Sequence, residues 1–129
     1  MNRPRSRAAT SPLGAALGKA TRAAEDATRR YLDPAHSLDP ATMSAENRQL
    51  VLLLGALAEF TTALAAHLGP CADRFIPRAD DNHDPRLHVA HACRGLAELR
   101  HHLDLADQAG RDVYTALSHL DTQPDPART

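Results

Sequence analysis

Tryptophan is absent from this 129-residue sequence, and Tyr31, Tyr114, Phe60 and Phe75 are its only phenyl or phenol rings. β-Branched aliphatic residues are nearly as scarce: Val51, Val89, Val113 and Ile76 complete that set. Strands draw on both groups for their pleated, half-buried surfaces, so a sheet is excluded as the main architecture. Cysteine occurs only as Cys71 and Cys93, too few for a disulfide framework. Few rings also means no stacking platform of the kind that binds single-stranded nucleic acid. The most apolar stretch, residues 50–69, is interrupted by Glu59, Thr61, Thr62 and His67. It falls short of the ~18 continuous apolar residues of a spanning helix and is expected to be a core helix.

What is abundant is alanine, 25 residues, and leucine, 18 residues, both strong helix formers. The expected fold class is therefore all-α. Arginine outnumbers lysine fourteen to one, which together with the alanine matches a bacterial, high-GC, actinobacterial-like composition. The net charge of −1 is unevenly divided: residues 1–32 carry +5 and the remainder −6. Arg3, Arg5 and Arg7 form a short basic arm, suited at most to weak non-specific contact with nucleic acid. The basic start is followed by Lys19 before an apolar signal region can develop, so the expected location is cytoplasmic, with reduced thiols.

Proline sets the helix boundaries. Ser11-Pro12 and Asp84-Pro85 each combine an N-cap residue with proline at the first helical position. Asp33-Pro34 and Gly69-Pro70 stop helices. Three helices are predicted, over about 12–32, 42–68 and 85–120, in a single domain over 11–121. A disordered arm is expected over 1–10 and a disordered tail over 122–129.

The third helix repeats apolar positions at alternating intervals of three and four: Val89, Ala92, Leu96, Leu99, Leu103, Ala106, Gly110, Val113, Leu117 and Leu120. That is a heptad seam. The first helix shows a similar seam through Leu13, Leu17, Ala20, Ala24, Ala27 and Tyr31. The second is broader. Leu50, Leu53, Leu57, Phe60 and Leu64 form one stripe, and Leu50, Leu54, Leu57, Thr61, Leu64 and Leu68 form another beside it. A stripe that wide is expected to contact two neighbours. The predicted architecture is an elongated antiparallel three-helix bundle with heptad packing. Because the third helix is predicted longer than the second, Val113, Leu117 and Leu120 should overhang and form an interface with another subunit or a helical partner.

Candidate chemistry concentrates in His88-Val-Ala-His-Ala-Cys-Arg-Gly-Leu-Ala-Glu-Leu-Arg-His-His102. In the heptad register none of these histidines occupies the seam. An antiparallel hairpin would bring His67, Cys71, His83, His88 and His91 to one end, and imidazole and thiolate are the usual zinc ligands. His88 and His91, three apart, are the best-placed pair, but no paired ligand spacing of a zinc module is present. Glu98-Leu-Arg-His101 has the Glu-x-x-His form of di-metal bundles, yet such sites need two copies and further inward glutamates. Arg86-Leu-His-Val-Ala-His91 and the pair Arg94 and His101 are similar to the Arg-x(4–6)-His of small helical ribonucleases of the HEPN class, with Leu87 and Gly95 replacing the usual polar residue. That resemblance implies a ribonuclease in which Arg86 and His91 are the pair to test. With no converging catalytic set, the expected function is non-enzymatic protein–protein association, with no cofactor, no membrane span, and a homo-oligomer or helical partner.

Overall fold

The computed structural model describes residues 11–37, 39–74 and 84–120, and these are all-α: α1 (Pro12–Leu32), α2 (Pro40–Leu68), the single turn α3 (Cys71–Arg74) and α4 (Pro85–Ser118). The expected basic arm over 1–10, the tail over 122–129 and His83 lie outside the described residues. Two compact units divide the chain, Met1–Leu38 and Asp39–Thr129.

Within the first unit α1 begins as its sequence dictates. The Ser11 hydroxyl accepts from the Gly14 N–H at 3.0 Å, and Pro12 opens the helix. Arg29 and Arg30 occupy the last turn, where cations favour the helix dipole, and both pair with Asp26.

In the second unit α2 and α4 run antiparallel and pack closely. α2 starts at Pro40, earlier than expected, behind Asp39, whose carboxylate accepts from the Thr42 hydroxyl at 2.9 Å. α4 starts behind Asp84, which accepts from the Arg86 N–H at 3.0 Å.

The seam between these helices keeps Leu54 and Thr61 of the second stripe predicted on α2 but leaves Leu50 and Leu64 exposed. The residues of α2 buried there are Val51, Ala58 and Thr61, all small or medium, and Ala58 is only 2% exposed. Facing them, the one buried residue of α4 is Gly110, where a Cβ would lie 2.8 Å from Val51 Cγ2. Asn47 Nδ2 donates to the Gly110 carbonyl at 2.9 Å, and Gly55 faces Asp107. Small side chains let the two backbones approach, which explains why this stripe wins over the leucines.

The α4 seam is correspondingly turned. Val89, Leu96, Leu103, Gly110 and Leu117 are covered as predicted, and Ala106 is half-buried. Cys93, Arg100 and Asp107 are also half-buried, whereas Ala92 is exposed and Leu99 is 46% exposed. The helix has rolled by about one position, so that Arg100 reaches the α2 backbone. The expected overhang also changes ends. Val51 faces Gly110 and Ala58 faces Arg100, so the same register sets the first turn of α2 level with the last turn of α4. It is the start of α4 that extends past Leu68, beside α3, which packs on both helices.

Candidate functional site

The two flanks of the α2–α4 hairpin have opposite chemistry. On one, Arg100 ties the helices together. Its Nη1 donates to the Ala58 carbonyl at 3.2 Å and to the Thr62 hydroxyl, and its Nη2 pairs with Glu59 at 3.4 Å. Its Nε bonds Asp104 one turn along α4 at 3.2 Å. Arg111 and Asp107 continue the row at 2.9 Å. Among the described residues no buried side-chain nitrogen or oxygen lacks a partner.

The Glu59–Arg100 pair shows which flanks share a side. The α2 flank one position before the seam, carrying Leu50, Leu57 and Leu64, must therefore lie on the other side. So must the α4 flank opposite Arg100. That flank is a second heptad stripe: Gly95, Leu99, His102, Ala106, Ala109, Val113, Ala116 and Leu120, spaced alternately four and three. All but Ala106 are exposed. On α2, Leu50 and Leu64 are exposed and Leu53, Leu57 and Phe60 half-buried, so exposed apolar residues of both stripes lie on one side of the hairpin, with His102 among them. An 18-residue window of α2 has a mean hydropathy of 1.7, and 17% of it is buried. By length and composition alone α2 is therefore long and apolar enough to cross a membrane. The helix expected to lie in the core is instead mostly uncovered, because α4 covers its small-residue side.

The predicted chemical residues are distributed along the surface. His67 is exposed, with a ring nitrogen 3.0 Å from the Ala63 carbonyl. Half-buried Cys71 donates its thiol to the His67 carbonyl at 3.2 Å. His88 and His91 are both exposed on α4. Among the described residues no three His, Cys, Asp or Glu side chains stand close enough together to hold a metal ion. Glu98 and His101 are exposed, the latter ring 5.7 Å from that of His102. Arg86 and Arg94 are exposed as well. Of the predicted interface residues, Val113 and Leu120 lie on the apolar face, at 48% and 55% exposure, while Leu117 is half-buried toward α2.

Two residues that organise the hairpin, Asn47 and Arg100, were not singled out from the sequence. Each is polar and lies beside an apolar stripe, and only the carbonyl it reaches on the other helix reveals its part. No protein-family model matches the chain, and no match is found among curated proteins or solved structures.

Proposed function

We propose that this chain is a non-enzymatic association protein whose working surface is the apolar face of the α2–α4 hairpin. One observation carries the reading: Leu50 and Leu64 of α2 and Leu99, Val113 and Leu120 of α4 are exposed on the same side of the hairpin. Isolated exposed leucines are ordinary, but a group of them on one side of two helices marks an interaction site. Val113 and Leu120 belong to it directly, and Leu117 supports it from the seam. The reading places the protein in the cytoplasm, with Cys71 and Cys93 as free thiols, and requires no cofactor.

Native mass spectrometry over a range of concentrations tests this. The expected result is the 13.9 kDa chain in complex with a further protein chain, with Leu64→Asp and Val113→Asp returning it to a single chain. The reading fails if the wild type stays single and Leu64→Asp lowers its melting temperature equally at every concentration. That outcome would mean the face is already covered from within the chain.

A further inference from the structure

We draw no further inference here: the strongest candidate, the exposed apolar side of the α2–α4 hairpin that carries Leu50, Leu64, Leu99, Val113 and Leu120, belongs to the surface already proposed for association, and nothing in the structure shows what covers it.

Discussion

The two flanks of the α2–α4 hairpin are built from the same two helices but use them in opposite ways. The Arg100 flank is internally complete: one guanidinium satisfies an α2 carbonyl, an α2 hydroxyl and two carboxylates. On the leucine flank Leu50, Leu64, Leu99, Val113 and Leu120 stay exposed. On the proposed reading stability and association are divided between sides: Val51, Ala58, Gly110 and Arg100 hold the pair together, while those five residues are left for a partner.

The sharpest way to break this division is at the closest approach. Gly110→Val places a branched side chain where a single Cβ already lies 2.8 Å from Val51 Cγ2. It should cost about 3 kcal/mol, read as a lower urea midpoint by circular dichroism. Adding Val51→Ala should restore part of that loss, because the two positions share one space. If Gly110→Val is as stable as the wild type, the small-residue seam is not the packing surface.

Arg100→Leu should cost about 1–2 kcal/mol, because it strips a donor from the half-buried Ala58 carbonyl. Glu59→Ala, which removes a partner that is 76% exposed, should cost less than about 0.5 kcal/mol. Equal losses in paired thermal melts would show that the ion pair, and not the reach to the α2 backbone, matters.

The roll of α4 is sharpened by neighbours. Cys93→Asp should destabilise by about 1 kcal/mol more than Ala92→Asp, since Cys93 is half-buried and Ala92 exposed. The original heptad register predicts the reverse order. The smallest effect on folding belongs to the leucine flank. In the dissociated chain Val113→Asp should shift stability by no more than about 0.5 kcal/mol, while weakening association more than about tenfold.

Much of the fold was legible in the residues. Ser11-Pro12 and Asp84-Pro85 cap α1 and α4 where the sequence places them, and Leu68-Gly69-Pro70 ends α2. These signals are local, acting within one turn, and need no knowledge of neighbours. The histidine-rich start of α4 was legible as a surface helix for the same reason: its members avoid the seam in any register that keeps Val89 and Leu96 inside. Less legible was the position of the seam. α2 carries leucine or alanine around most of its circumference, so helical periodicity on α2 is satisfied by three different stripes at once.

The sequence by itself determined the helical class, the punctuation by proline and the supply of apolar surface, because these follow from backbone propensity and capping. Which stripe of α2 meets α4 was decided only by tertiary packing. Two helix axes settle where their side chains are smallest, at Val51, Ala58 and Gly110, and where Arg100 can reach across to a carbonyl on α2. That choice, made by close approach rather than by hydrophobicity, leaves Leu50, Leu64 and Leu99 exposed.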